Sequence, residues 1–324
     1  MVVNYHYIRE RFNFPYNGIV GINPTQFSDQ LDKLSKIGEF ISQADLITLI
    51  DKNENIDSVK IMITFDDGLR EQYDYAFPIL VRKGIPAVFF INTVNYVENE
   101  VSDVHKIHLL RSYVSASDIL KATKNYFQIS ENRDLLSEED SRVASNHYRY
   151  DTESNAKLKY FLNFKLDIKT ASSLVDNLFE LYNSSISEDI NSLYFNNDII
   201  LKLDRYGLLG CHCHRHLPVA KLKANEIYEE FSKPQNFASE LGIKQFRSIS
   251  YPYGSKESLS REIFDAVSAN GYIFGFSMER AVNVSLKHNP LSLARFACND
   301  VPGGANPMFA NQQELVLLPI RSWF

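Results

Sequence analysis

The sequence predicts an α/β fold in which buried parallel strands alternate with helices, closed into a barrel or left as an open sheet. Three observations carry this expectation. The run VKIMITF at 59–65 is apolar along nearly its whole length, as a strand covered on both faces of a parallel sheet should be. A helical segment from Gln72 to Lys83, a stop at Gly84 and a second apolar run, AVFFINT, follow it, so strand, helix and strand make a βαβ unit. The alternation returns after residue 207, where GLLGCHC, SISYPY and IFGFSM are separated by helical segments. At 324 residues the chain is long for an ordinary domain and normal for one barrel with insertions.

In order along the chain, VVNYHYI at 2–8 alternates and is β-prone. After the turn-rich FNFPYNGIVGINP, a helix starts at Pro24 behind Asn23, because proline suits the first helical position. Phe27, Leu31, Leu34 and Ile37 recur through it at helical spacing, and Gly38 closes it. SQADLITLIDK is a second short helix. From about 103 to 205 the strands lapse: ILKATKNYF, ASSLVDNLFELYN and NNDIILKLDRYG are helical, with Asn, Asp, Ser and Glu dense between them. This reads as a helical insertion at 103–205 within one barrel domain of 1–324. A separate small domain is the other arrangement, but no Pro/Gly/Ser linker marks its edges. Beyond it, KANEIYEEFSKPQNFASELG is helical on either side of Pro234, SLSREIFDAVSANG is a helix ended by Gly271, and LSLARF and LVLLPI are candidates for the last strands. No repeat of fixed period is present.

Composition narrows the function classes. Apolar residues make up 44%, enough for a sizeable core. The 18 Tyr and 22 Phe suit a sugar-binding cleft, though ordinary core packing accounts for most such surpluses. A formal charge of −6 with no Lys/Arg run lacks the electrostatic footprint of a nucleic-acid binder. Cys211, Cys213 and Cys298 are too few and too irregular for a disulfide framework, which points to a reducing compartment. The opening MVVNYHYIRER reads as a strand rather than a signal peptide, and no apolar stretch reaches the roughly 18 residues of a membrane span. A cytoplasmic address is the expectation.

The chemistry-bearing residues gather at strand ends, where functional groups of parallel α/β folds collect. Asp66 and Asp67 end one buried strand, His212 and His216 end another, and Tyr253 and Gly254 end a third. Adjacent carboxylates raise each other's pKa unless a positive charge lies close, which a divalent metal provides. The plain alternative is a carboxylate capping the turn before Gly68. The cluster His212-Cys213-His214-Arg215-His216 shifts the balance, because histidines four apart on a helical turn share a face and can converge on one ion. His214 then points away. One carboxylate and two histidines leave a coordination position open, the pattern of catalytic metal sites.

TFDDG at 64–68, HxxxH at 212–216 and YPYG at 251–254 together resemble, in order and in strand context, three motifs of the polysaccharide deacetylases, carbohydrate esterase family 4. The opening YHYIRER…FPYNGIVGINPTQFSDQL and DVHKIHLL at 103–110 resemble members from surface-polysaccharide biosynthesis. The resemblance covers roughly 1–110 and 205–300. It implies a distorted (β/α) barrel and a hydrolase that removes an N-acyl group, most often acetyl, from an amino sugar. By residue, it implies Asp66 as general base, Asp67, His212 and His216 as ligands of a divalent metal, commonly zinc, and the Tyr253 N–H, beside Pro252, as oxyanion donor.

The sequence departs from the family pattern at two places. Ser250 stands where members often carry an arginine, and Arg295 or Arg247 is the candidate replacement. The late histidine that often serves as acid is missing from LVLLPIRSWF, which leaves His105 as first candidate for the acid, ahead of His6 and His108. His6 and Arg295 are also candidate substrate contacts. His288 reads as surface, and Asn299-Asp300 as a turn ahead of a substrate contact. The expected substrate is a nucleotide-linked, lipid-linked or oligosaccharide amino sugar on the way to a cell-surface polymer such as lipopolysaccharide. The alternatives are a deformylase, an amidohydrolase acting on another C–N bond, and a non-catalytic carbohydrate-binding relative.

Overall fold

The structure, a computed structural model, describes residues 1–52, 58–130, 132–148, 151–286 and 288–324. The chain divides into two compact units, one of Met1–Arg11, Gly21–Glu100 and Ile190–Phe324, the other of Phe12–Val20 and Val101–Asp189.

The first unit is the α/β one. Its strands are β1 (Val2–Tyr5), β2 (Glu39–Phe40), β3 (Lys60–Phe65), β4 (Ala87–Ile91), β5 (Leu209–Cys211), β6 (Ser248–Ser250), β7 (Phe274–Phe276) and β8 (Phe296–Ala297). They pair in the order β7-β6-β5-β4-β3-β1-β8, with β2 on the start of β3, and every pairing is parallel. A bridge from Phe276 to Leu293 links β7 to the segment entering β8, so the sheet curls into an incomplete barrel. LSLARF therefore supplies the closing contact. LVLLPI does not form a strand of the barrel: Gln312–Leu317 is an exposed 3-10 turn, and only Ile320 bridges, to Val282. The 293–297 segment already occupies the position next to β1.

Period-two alternation sorts each strand into two faces. Val3, Tyr5, Ile61, Ile63, Phe65, Ala87, Phe89 and Ile91 face the helices, where Phe65 and Phe89 stack with ring centroids 4.7 Å apart. Helices α1 (Pro24–Leu34), α3 (Phe77–Lys83), α10 (Asn197–Arg205), α11 (Ala224–Glu240) and α12 (Arg261–Ala269) cover that face. Asn23 caps α1 in a reciprocal capping box with Gln26, with Pro24 at the first helical position. The segment starting at Gln72 opens as a π turn, Gln72–Ala76, before α3. Pro78 has no N–H to give to a carbonyl one turn back, and the wider turn accommodates it.

The opposite face buries Val2, Met62, Val88, Phe90, Phe274 and Phe276 against α2 (Gln43–Lys52). Space there is tight at Gly210, where a Cβ would sit 2.4 Å from the Phe90 ring. Continued two residues at a time, the same face carries Asn4 and His6, Thr64 and Asp66, Asn92, His212 and Ser250. The interior is thus apolar where the strands begin and polar where they end. The short helix α4 (Val94–Val97) follows β4.

The second unit consists of α5 (Asp103–Tyr113), α6 (Ala116–Tyr126), α7 (Glu138–His147), α8 (Glu153–Tyr160) and α9 (Ile168–Leu181) with the 12–20 strand-free segment. Ser115, Ser137, Thr152 and Asp167 cap four of these helices. Leu109, Leu110, Ile119, Leu158, Leu174 and Leu178 are buried within it. The helical run NNDIILKLDRYG forms α10, which packs in the first unit through Ile199, Ile200 and Leu203.

Candidate active site

The C-terminal ends of β1, β3 and β5, with the loop after β6 and the segment before β8, bring one group of polar side chains together. Asp66 and Asp67 end β3 and are both buried. They turn to different partners because Asp67 adopts a left-handed backbone, φ 80°.

Asp66 meets Arg295 in a two-pronged ion pair, Nη1 to Oδ1 and Nη2 to Oδ2, both 3.0 Å. Asn4 donates to Oδ2 at 2.8 Å, and the His6 Nε2 lies 3.9 Å from it. Arg295 is fully buried and also donates to Ser250 Oγ at 2.8 Å. Burial works against a charge on Asp66, but the Arg295 guanidinium outweighs it and holds the carboxyl well below the usual carboxylate range. Of the two candidate arginines, Arg295 is the one at the site, whereas Arg247 is exposed on the loop before β6. Gln72, in the π turn, donates to the carbonyls of Asp66 at 2.6 Å and His6 at 3.0 Å, tying the ends of β3 and β1.

Asp67 faces the histidines. Its Oδ1 is 3.5 Å from His212 Nε2 and 3.4 Å from His216 Nε2. One ligand atom from each of Asp67, His212 and His216 lies within 4.8 Å of the others, a set that can hold a metal ion. The donor chemistry fits a divalent cation. Burial pushes the His212 imidazole down to about 4, so it is neutral at neutral pH. Its Nδ1 lies 2.7 Å from the Ser250 carbonyl, which only accepts, so the proton sits on Nδ1 and the Nε2 lone pair faces Asp67. At His216, burial opposes the charged form and the Asp67 carboxylate outweighs it, raising the pKa. Three protein ligands leave a position open, as catalytic sites do.

The histidines do not converge by helical spacing. Residues 212–216 form a loop in which Cys213 and His216 are left-handed, φ 59° and 55°. His214 does point away: it is buried between Thr93 Oγ1 at 2.9 Å and Glu98 at 3.1 Å. Tyr253 is also left-handed, φ 62°, and half-exposed, with its ring 5.5 Å from that of His216. Pro252, before it, is buried and its carbonyl accepts from Gly254 N–H at 2.7 Å. Left-handed backbone at Asp67, His216 and Tyr253 is the kind of local strain that collects at functional sites.

The remaining expected residues have the following surroundings. His6, at the end of β1, has a half-exposed side chain. His105 is buried on α5 in the helical unit, its ring 6.0 Å from that of His108. His288 is exposed, and Asn299 and Asp300 lie in a 3-10 turn where Asp300 accepts from Ala297 N–H at 3.1 Å. Sequence reasoning assigned no role to Asn4, Thr64 or Gln72. The first two stand at even positions of their strands, in register with His6 and Asp66, which is the signal that identifies them.

Residues 53–125 match the profile of the family described as Polysaccharide deacetylase. No curated protein matches the chain by sequence. Among solved structures, the fold is similar to the Streptococcus pyogenes deacetylase PplD, solved in complex with acetate, at 14% identity and TM-score 0.52, over 91% of this chain and 90% of that one. IcaB from Ammonifex degensii is similar at 15% identity and TM-score 0.52, over 91% of each chain. A de-N-acetylase from Aggregatibacter actinomycetemcomitans is similar at 14% identity and TM-score 0.52, over 91% of this chain and 93% of that one. The chain thus matches the polysaccharide deacetylase family over residues 53–125, and it shares the fold of solved deacetylases around an Asp–His–His cluster that can hold a metal ion.

Proposed function

We propose that the protein is a zinc-dependent N-deacetylase acting on an amino sugar destined for a cell-surface polysaccharide. The observation that carries this is the pairing of two environments on adjacent residues. Asp67 joins His212 and His216 as a ligand set, while Asp66, one residue away, is held ionised by Arg295. A divalent ion at the ligand set would supply Lewis acidity to the acyl carbonyl and to water, which a carboxylate as weakly basic as Asp66 requires of its proton donor.

The chain's own groups then divide the work. Asp66 takes a proton from the attacking water as its oxygen bonds to the carbonyl carbon. The Tyr253 N–H donates to the oxygen that becomes negative. The C–N bond breaks and the nitrogen leaves as an amine, which needs a proton. We assign that proton to His6 rather than His105. His6 belongs to the same unit as Asp66, lies 3.9 Å from its carboxylate and is half-exposed toward solvent. Arg295, fully buried behind Asp66, acts as the tether of the base. The similar Streptococcus pyogenes protein is a deacetylase and the Aggregatibacter actinomycetemcomitans one a de-N-acetylase, which supports acetyl as the group removed.

Among the described residues, no helix is long and apolar enough to cross a membrane. The test is release of acetate from N-acetylglucosamine oligomers and from nucleotide-linked N-acetyl sugars, before and after chelation and with zinc returned. Activity abolished by chelator and restored by zinc is the expected outcome. Activity indifferent to chelation refutes the reading, and formate release from an N-formyl sugar without acetate release changes the acyl group.

A further inference from the structure

Glu230, on α11, is fully buried and has no part in the chemistry above. Its Oε2 accepts the backbone N–H of His214 at 3.1 Å and of Arg215 at 2.9 Å, and its Oε1 accepts the Arg215 Nε at 2.8 Å. Both N–H groups lie midway between His212 and His216. That stretch is irregular, with Cys213 and His216 left-handed, and non-glycine residues keep such a backbone only where their surroundings enforce it.

The enforcement comes from two sides. On one, the Asn92 amide donates to the His212 carbonyl, and the Thr93 and Val94 N–H groups donate to the carbonyls of Cys213 and His214 at 3.4 and 3.0 Å. On the other stands Glu230 alone among the described hydrogen bonds of α11 to this loop. A buried carboxylate is expensive unless its hydrogen bonds compensate, so packing does not explain an acid at this position.

We propose that Glu230 is a positioning residue for the metal centre. By holding the two N–H groups between His212 and His216 it sets the path of the loop, and with it the convergence of both imidazoles on Asp67. The proposal rests on the metal reading above. Arg215 is secondary, because its side chain is partly exposed and can swing into solvent.

The test measures zinc affinity by competition with a chromophoric chelator, and the visible spectrum of the cobalt(II) form, in Glu230→Gln, Glu230→Leu and Arg215→Ala. Glu230→Gln keeps an oxygen for the two N–H groups and is expected to retain native affinity and spectrum, as is Arg215→Ala. Glu230→Leu fills the space without an acceptor and is expected to lose affinity by about 10–100-fold, with a changed cobalt spectrum. Should the leucine variant not fold, Glu230→Asp carries the test, since it withdraws the oxygens by one methylene and is expected to weaken zinc binding. Native affinity in the leucine or aspartate variant, or an equal loss in the glutamine one, overturns the proposal alone. A native protein that takes up no zinc overturns the metal reading and this inference with it.

Discussion

The sharpest consequence of the site is that Arg295→Met should destabilise the protein by an amount that depends on pH. The wild-type pair is buried on both sides, with two 3.0 Å contacts. Removing one member of such a pair costs about 3–5 kcal/mol, because the other charge stays buried without it. In the wild type, Asp66 is held below its unfolded pKa of about 3.9, so its contribution is fully present above that value and is lost as pH falls below it. In the variant only burial acts strongly, so the folded pKa should rise above about 3.9. The penalty of the variant is then full at neutral pH and fades as pH falls through the raised pKa, where Asp66 takes up a proton. Each unit of separation between the two folded pKa values is worth about 1.4 kcal/mol. Urea unfolding of chelator-treated protein, followed by circular dichroism between pH 7.5 and 4.5, measures the gap without linkage to metal. A gap of about 3–5 kcal/mol at pH 7.5 that narrows toward pH 4.5 is expected. A gap constant over that range, or one under about 1 kcal/mol at pH 7.5, would refute the argument that Arg295 keeps Asp66 ionised.

Other perturbations separate the remaining roles. Asp66→Asn should abolish turnover while leaving bound metal, by elemental analysis, at the native ratio; lost metal would mean that the two aspartates have exchanged roles. His6→Gln should lower kcat by about 10²–10⁴-fold and leave zinc affinity alone, whereas a native kcat would return the acid to another group. Gly210→Ala places a Cβ 2.4 Å from the Phe90 ring and should lower stability by about 1–3 kcal/mol in thermal or urea unfolding, and an unchanged midpoint would show that the barrel interior can yield there.

Much of the fold was legible because the strands carry their own signature. KIMITF and AVFFI are mostly apolar, and both faces are in fact covered, one by the outer helices and one by α2 together with β7. The shorter strands were less legible. Only three residues of GLLGCHC and one of LSLARF, Phe296, are in strand conformation, because the curl of the sheet leaves little pairing length there. LVLLPI has strand composition, but the place beside β1 is already taken by β8. The 12–20 segment gives no local sign that it groups with the helices of 101–189, since Gly18 matters only through its contact with Ser112, where a Cβ would lie 2.4 Å from the backbone nitrogen.

At the candidate site the division has a physical cause. The sequence by itself determined which residues gather at the candidate site, because a strand-end Asp66-Asp67 pair and a histidine cluster are hard to place in a core without a cation. It also determined their place at the strand ends, through the period-two pattern. Only the tertiary structure decided how they are used. Asp66 and Asp67 are chemically identical in the sequence, and Arg295, 229 positions away, makes one of them a tethered anion. His212 and His216 come together through left-handed loop backbone held by Asn92, Thr93, Val94 and Glu230, not through helical spacing. Long-range contacts of this kind leave no local pattern, because the energy that holds them comes from partners that meet only when the barrel forms.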